Sequence, residues 1–252
     1  MKIVSWNVNS IKARLDHVLR YLADESPDVL MIQELKGLEF PTDAFADTGY
    51  ETHAICQKAY NGVALISKHP INVVLEALPN DKTDEQARYI EADINGLRLI
   101  NIYLPNGNPI GDKYDYKLKW MERLYVRLKE LRDDDIPFVI GGDFNVIPED
   151  RDCRTPKNWE GDAAFRIETH RAYRSLINLG LTDAFRALDN RAGQYTFWDY
   201  QAGAWQKDNG IRIDHFLLSP TIADRLTSCT INKAPRAWDR PSDHTPIELT
   251  IK

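Results

Sequence analysis

The runs Ile3-Val4-Ser5-Trp6, Val29-Leu30-Met31-Ile32, Leu97 to Leu104, Phe138-Val139-Ile140 and Ile213 to Leu218 are apolar, and each borders chemically versatile polar side chains. The polar groups are Asn7 and Asn9, Gln33-Glu34, Tyr103 with Asn106, Asp143 with Asn145, and Asp214, which is followed later by Asp243-His244. Between the first two runs, Ile11, Leu15, Val18, Leu19 and Leu22 recur at helical spacing, and Pro27 marks the turn before the second run. A strand-helix-strand unit with polar strand ends is the usual setting of an α/β active site.

Gly62 to Ser67, Tyr89 to Ile94 and Leu97 to Leu104 read as further strands. The Asn95-Gly96 pair predicts a hairpin, so part of the sheet is antiparallel and a simple doubly wound sheet is disfavoured. From Lys113 to Arg132, Leu118, Met121, Leu124, Tyr125, Leu128 and Leu131 follow helical spacing among many charges, which predicts a solvated amphipathic helix. A helix from about Thr169 to Leu179 is expected, with strands at Tyr195-Thr196-Phe197-Trp198, Ile213 to Leu218 and Ile247 to Ile251. No low-complexity linker interrupts residues 1–252, so the reading is one domain of two mixed sheets packed face to face with helices outside.

Charge narrows the function classes. The balance of 32 basic and 38 acidic residues gives 32 − 38 = −6, which disfavours a protein coated in positive charge. It leaves room for an enzyme that needs positive potential only where phosphate sits. The 43% hydrophobic content can fill a substantial core. Cys56, Cys153 and Cys229 are far apart and form no paired-cysteine motif, so reduced thiols in a cytoplasmic protein are expected. Neither a signal peptide nor a membrane span of about 20 apolar residues is found, so no membrane association is expected.

Taken singly, each polar site has an ordinary explanation. Asp143-Phe144-Asn145 is compatible with a turn whose side chains bond local backbone, and Glu34 with an exposed loop carboxylate. Asp214 is harder to dismiss, because Ile213 and His215-Phe216-Leu217 surround it and a buried carboxylate needs a partner, for which His244 is the candidate. Together the residue types suit phosphodiester hydrolysis. Hard carboxylate oxygens hold Mg²⁺, a carboxylate orients or deprotonates water, and an aspartate-ordered histidine donates to a phosphoryl oxygen. Asparagine and tyrosine hold the same phosphate without adding repulsion.

The strings Ser5-Trp6-Asn7-Val8-Asn9, Gln33-Glu34-Leu35-Lys36, Tyr103-Leu104-Pro105-Asn106-Gly107, Gly142-Asp143-Phe144-Asn145, Arg212-Ile213-Asp214 and Ser242-Asp243-His244 occur in this order along nearly the whole chain. On these motifs the sequence resembles the exonuclease III-like AP endonucleases of the endonuclease/exonuclease/phosphatase superfamily. The resemblance implies a four-layer α/β sandwich of the DNase I-like kind, in which these loops meet at one end of the paired sheets. It further implies that Glu34 is the principal Mg²⁺ ligand, with Asn9 and Asp243 nearby and Mn²⁺ a possible substitute. Asp143 would activate water, held in place by Asn145 and Asn7. His244, paired with Asp214, would contact the scissile phosphate together with Tyr103 and Asn106. Lys36 would lie near the metal carboxylates and Lys12 would face DNA phosphate. Three departures stand out: Asn9 replaces an aspartate of some relatives, Ile211 replaces a tryptophan, and Gly107-Asn108-Pro109 lacks the arginine that some relatives push into the helix. Phe197, Ile211 and Ile213 would still make an apolar pocket for an abasic sugar.

Arg151 to Arg174 holds six basic residues against four acidic ones, with Trp159 and Phe165 interleaved. The functional reading is a DNA-facing loop in which Arg154 and Lys157 grip phosphate and an aromatic residue or Ile167 wedges at the lesion. Arg236 and Arg240 would extend that surface. The expected activity is a Mg²⁺-dependent DNA repair nuclease that acts on double-stranded DNA at abasic sites or 3′ ends, with no obligate protein partner. A phosphoinositide or sphingolipid phosphodiesterase of the same superfamily, or a catalytically inactive RNA-binding relative, are the alternatives.

Overall fold

The computed structural model describes residues 1–252. Its first strand, β1 (Lys2–Asn7), is joined by helix α1 (Ile11–Glu25) to β2 (Val29–Gln33). The chain continues through β3 (Glu51–Ile55), β4 (Val63–Ser67), β5 (Asn72–Leu75), β6 (Tyr89–Ile94) and β7 (Leu97–Tyr103). Helix α2 (Asp112–Asp133) crosses to β8 (Phe138–Asp143), and α3 (Ile167–Ile177), β9 (Thr182–Asp183) and α4 (Ala184–Leu188) follow. The last elements are β10 (Asp214–Leu218), α5 (Pro220–Ala223), β11 (Leu226–Ile231) and β12 (Ile247–Ile251).

The strands form two six-stranded sheets, ordered β11-β12-β1-β2-β4-β3 and β5-β6-β7-β8-β10-β9. Each sheet has one parallel pair at its centre, β1 with β2 and β7 with β8, because a helix carries the chain back along the sheet at those two places. All other pairings are antiparallel. The Asn95-Gly96 hairpin is present, with both residues at positive φ (50° and 76°), as a two-residue loop between right-twisted strands requires.

Alternation along the strands builds the layers. Ile3, Met31 and Leu65 of the first sheet meet Ile90, Leu99, Val139 and Phe216 of the second in the central core. The opposite face of the first sheet, with Val4, Trp6, Leu30 and Ile32, is covered by Val18, Tyr21 and Leu22 of α1. The opposite face of the second, with Ile100, Ile102 and Ile140, is covered by Trp120, Leu124 and Leu128 of α2 and by Leu176 of α3. Helix, sheet, sheet and helix therefore make the four-layer sandwich.

Two of the elements read from sequence differ in the structure. Tyr195 to Trp198 is not a strand: Phe197 makes single bridges to Ile211 on one side and His244 on the other, so the segment links two loops rather than joining a sheet. Helix α3 starts two residues earlier than expected, at Ile167. No helix is long and apolar enough to cross a membrane.

Candidate active site

Parallel strands β1, β2, β7 and β8 end at the same end of the sandwich, and antiparallel β10 begins there, so Asp214 lies opposite Asp143 in register. Loop 242–244, just before β12, is held to the end of β1 by the Ser242 hydroxyl, which donates to the Asn7 carbonyl (2.7 Å). Trp6 Nε1 adds a bond to the His244 carbonyl (3.3 Å). The turns are tight. Asn9, Glu34, Lys36 and Asn145 all have positive φ (46°, 59°, 53° and 48°), strained positions of the kind that gather at functional sites. At Gly142 (φ +147°) a Cβ would lie 2.0 Å from the Ile102 carbonyl oxygen, so only glycine lets β8 carry Asp143 so close to β7.

Asn7 joins the two principal acids. Its Nδ2 donates to Glu34 Oε1 (2.8 Å) and to Asp143 Oδ2 (2.9 Å). Lys36 Nζ lies 2.6 Å from Glu34 Oε2. Burial pushes the Glu34 carboxyl up, but the Lys36 ammonium and the Asn7 amide outweigh it and hold the group below its usual range. Asp143 also accepts from the Asn145 backbone N–H at Oδ1 (2.9 Å). Its carboxyl is pushed up to about 7 by burial, with Asp214 and Glu34 reinforcing the rise against the pull of His244.

The imidazole of His244 is held by the partner expected from sequence. Nδ1–H donates to Asp214 Oδ2 at 2.9 Å, and Nε2 stands 3.8 Å from Asp143 Oδ2. Burial would lower the pKa of His244, but Asp214 and Asp143 raise it to about 10, so the ring is a cation with a proton on the side facing Asp143. Tyr103 is kept a neutral hydroxyl by burial and by the nearby charges of Glu34 and Asp143, which push it far above the usual tyrosine range. Asn106 Nδ2 donates to Asn145 Oδ1 (3.1 Å), and Asn145 Nδ2 to the Leu104 carbonyl (2.9 Å), so the two asparagines form one unit.

Ligand atoms of Glu34, Asp143 and His244 all lie within 4.8 Å of one another. The His244 nitrogen bonded to Asp214 is committed and the other carries a proton, so the oxygens of Glu34 and Asp143 are the donors free to hold a cation. An all-carboxylate set in a place where the buried Asp143 and Asp214 converge with the half-buried Glu34 suits a hard divalent ion. Asn9 and Asp243 stand next to it rather than in it: Asn9 Nδ2 donates to Asp243 Oδ1 (3.0 Å), and its Oδ1 accepts from Lys36 Nζ. Gln33, beside Glu34, points the other way and bonds Ser5 Oγ and Asn101 Oδ1 between the sheets.

Phe197 and Ile211 line a pocket of about 230 Å³ with Trp159 and Ala204, and the Phe197 ring meets the His244 ring edge-on at 4.9 Å. Ile213 does not line it. That side chain is 4% exposed and packs beneath with Ile147, Cys153 and Ala164, which corrects its assignment to the pocket. Arg154 and Lys157 are exposed at the rim, on the segment that carries Trp159. Arg240 is exposed as well. Arg236 is not part of any such surface: it is 6% exposed, donates to the Trp198 carbonyl (3.0 Å) and lies against the rings of Tyr200 and Trp205. Lys12 is exposed on the first turn of α1, over a cleft of about 510 Å³ that Lys36 also lines.

Several residues around the site, Tyr103 and Arg212 apart, carry no motif in the sequence. A second cleft of about 450 Å³ beside Glu34 is lined by Tyr60, Arg88, Tyr103 and Lys113. Tyr200, from the loop after Trp198, accepts from Arg14 Nη2 (2.9 Å) and donates to the Pro241 carbonyl (2.9 Å), which walls the side near Asn9. Arg212, next to the Asp214 motif, is fully buried, with Nε 2.6 Å from Asp152 and Nη1 2.9 Å from Asp183. Lys117 is also fully buried, on the apolar stripe of α2. A lysine in register with core positions was the available signal there.

The Endonuclease/Exonuclease/phosphatase family matches residues 4–244 of the chain. Over the full length of both proteins, the chain is 33% identical to exodeoxyribonuclease III of Haemophilus influenzae. Among solved structures, it matches the 3′ phosphatase NExo from Neisseria bound to a product DNA hairpin with a TM-score of 0.97 and 36% identity, covering 100% of this chain and 99% of that one. It matches an AP endonuclease from Archaeoglobus fulgidus with a TM-score of 0.93 and 35% identity at the same coverage.

Proposed function

The chain belongs to the endonuclease/exonuclease/phosphatase family, and on that premise we propose that it is a DNA repair nuclease that needs Mg²⁺, or Mn²⁺ in its place, and hydrolyses phosphodiesters in duplex DNA at abasic sites or 3′ ends. The observation that carries the reading is the placement of Asp143. It is oriented by the Asn7 amide and the Asn145 N–H, its carboxyl is pushed up by burial and by the charges of Asp214 and Glu34, and it faces His244, which Asp214 and Asp143 hold well above the usual imidazole range.

In the proposed reaction Asp143 accepts the proton of the attacking water, a role for which a pKa of about 7 is well matched. Asn7 and Asn145 fix the direction of its lone pairs. His244, held by Asp214, donates from Nε2 to a phosphoryl oxygen, and the Tyr103 hydroxyl and Asn106 amide hold the same group. Glu34 would hold the metal, with Asp143 facing it and Asp243 and Asn9 reaching it directly or through water. The cation supplies positive charge against the phosphoryl group as negative charge builds there. The pocket of Phe197, Ile211 and Trp159 beside His244 accepts the abasic sugar or the terminal group, while Arg154, Lys157, Arg240, Lys12 and Lys36 meet backbone phosphate. We read the 252 residues as one catalytic domain acting in the cytoplasm, in keeping with three unpaired thiols.

The test offers three duplexes side by side: one with an internal abasic site, one with a 3′ phosphate and one with a mismatched 3′ end. Cleavage of at least one is expected with Mg²⁺ and none with EDTA, and Glu34→Ala should lose about 100-fold or more in rate. Cleavage at the parental rate in EDTA, or by Glu34→Ala, would rule the metal site out.

A further inference from the structure

Helix α2 turns a stripe of Tyr114, Lys117, Met121, Leu124, Leu128 and Leu131 toward the second sheet, and the one charged member is Lys117. None of its surface is exposed. Its ammonium donates to two backbone carbonyls, that of Asn145 at 2.6 Å and that of Asn106 at 3.1 Å. No carboxylate lies within ion-pair distance of it; Asp162 and Asp143 act only from farther away. Burial accordingly pushes the group down to about 7, with those two acids opposing the fall. A buried ammonium without a contacting counter-ion is costly, and methionine would fill the stripe without that cost.

The surrounding chain is built around this side chain. A Cβ on Gly107 would lie 2.7 Å from Lys117 Cδ and 3.0 Å from Ala163 Cβ, so glycine at that position, at φ +90°, leaves the channel through which the lysine passes. The two carbonyls it grips belong to the two asparagines already joined side chain to side chain. Asn145 stands at φ 48°, with its N–H on Asp143 and its carbonyl on Lys117, so opposite ends of one residue are tied to the base and to the helix.

We propose that Lys117 is a positioning residue: from the middle of α2 it locks the loops carrying Asn106 and Asn145 in register, and through Asn145 it fixes the orientation of Asp143. The inference rests on the nuclease reading of the site. It assigns Lys117 no contact with substrate, and it explains why the stripe of an otherwise ordinary amphipathic helix carries a charge.

The experiment uses the full chain, on whichever duplex the parent cleaves. Lys117→Met should lower kcat about tenfold or more, because small displacements of positioned groups have large effects on rate, and should leave KM within about threefold. Its thermal midpoint should stay within about 4 °C of the parent. In an Asn145→Ala background, the same change should lower single-turnover rate less than about threefold, since two residues acting through one another are not additive. An unchanged kcat, a rise in KM alone, or full additivity with Asn145→Ala would overturn the proposal. So would a large loss of midpoint that accounts for the lost activity through unfolding; if Lys117→Met does not fold at all, Lys117→Gln carries the same readouts. A parent without activity on any duplex would instead remove the nuclease reading, which keeps the two failures apart.

Discussion

Burial alone would raise the Asp143 carboxyl and lower the His244 imidazole, yet His244 stands at about 10 because Asp214 and Asp143 flank it. The proposed proton donor therefore owes its charge to its neighbours. Replacing Asp214 by a neutral amide removes the first of the charges that raise His244, so the folded pKa falls toward 6.5 and the donor is lost at lower pH. Asp214→Asn should lower kcat about 100-fold or more and move the alkaline limb of the pH–rate profile down by about one unit or more. A limb that stays in place, measured from pH 6 to 10, would show that His244 is not the group titrating there. Residues of this kind can be found by sequence because each borders an apolar run, Asn7, Glu34, Tyr103 and Asp143 where one stops and Asp214 where β10 starts. Arg236 shows the limit of that reasoning. Its closeness to Asp243 and His244 in sequence suggested a surface role, whereas a guanidinium wedged against Tyr200 and Trp205 is fixed by contacts from a loop more than 30 residues away.

Among the elements, eight of the nine strands read from sequence are the interior ones, β12, β1, β2 and β4 of the first sheet and β6, β7, β8 and β10 of the second, the ninth being the segment Tyr195 to Trp198. The four that escaped, β11 and β3, β5 and β9, are the four edges. An interior strand is covered on both faces and reads as a continuous apolar run, whereas an edge such as β11, Leu-Thr-Ser-Cys-Thr-Ile, is broken by polar residues, and β5 shows only the short exposed run Val73-Val74-Leu75. Between β8 and β10 lies a second feature with no sequence signature. Arg212 of the segment before β10, Arg186 of α4, and Asp152 of a single 3₁₀ turn form a buried ion cluster with Asp183. Asp152 takes both arginines, so Asp152→Ala would leave two cations buried against one remaining acid. The expected loss is about 3–5 kcal/mol of unfolding free energy, read from urea melts. A loss below about 1 kcal/mol would mean that water or backbone carbonyls replace the carboxylate without strain. The cluster also anchors the start of β10, and with it Asp214, so part of any activity loss in that variant should follow the folded fraction.

For the whole molecule, the formal charge of −6 is a poor guide to what DNA would meet. Asp143, Asp152 and Asp214 are buried within the fold, and Glu34 is largely covered by its partners. Exposed cations, by contrast, stand at the end of the sandwich where the strands deliver the site: Lys12 on α1, Arg154 and Lys157 beside the Trp159 pocket, and Arg240 ahead of Asp243. An acidic protein with a local basic rim should bind duplex DNA at the rim alone, and the number of rim contacts is countable from salt. Each phosphate neutralised contributes about 0.9 to the slope of log Kd against log salt. Arg154 and Lys157 lie at the edge of the pocket that adjoins His244, so a duplex seated over the site passes them. Replacing both by alanine should weaken binding across sequences and lower the slope by about 2. The measurement is a titration of Asp143→Asn protein, expected to be catalytically silent, with and without the double change, from about 50 to 200 mM salt. An unchanged slope would move the DNA path toward the cleft of Arg88 and Lys113 beside Glu34, where the same double replacement then becomes the deciding one.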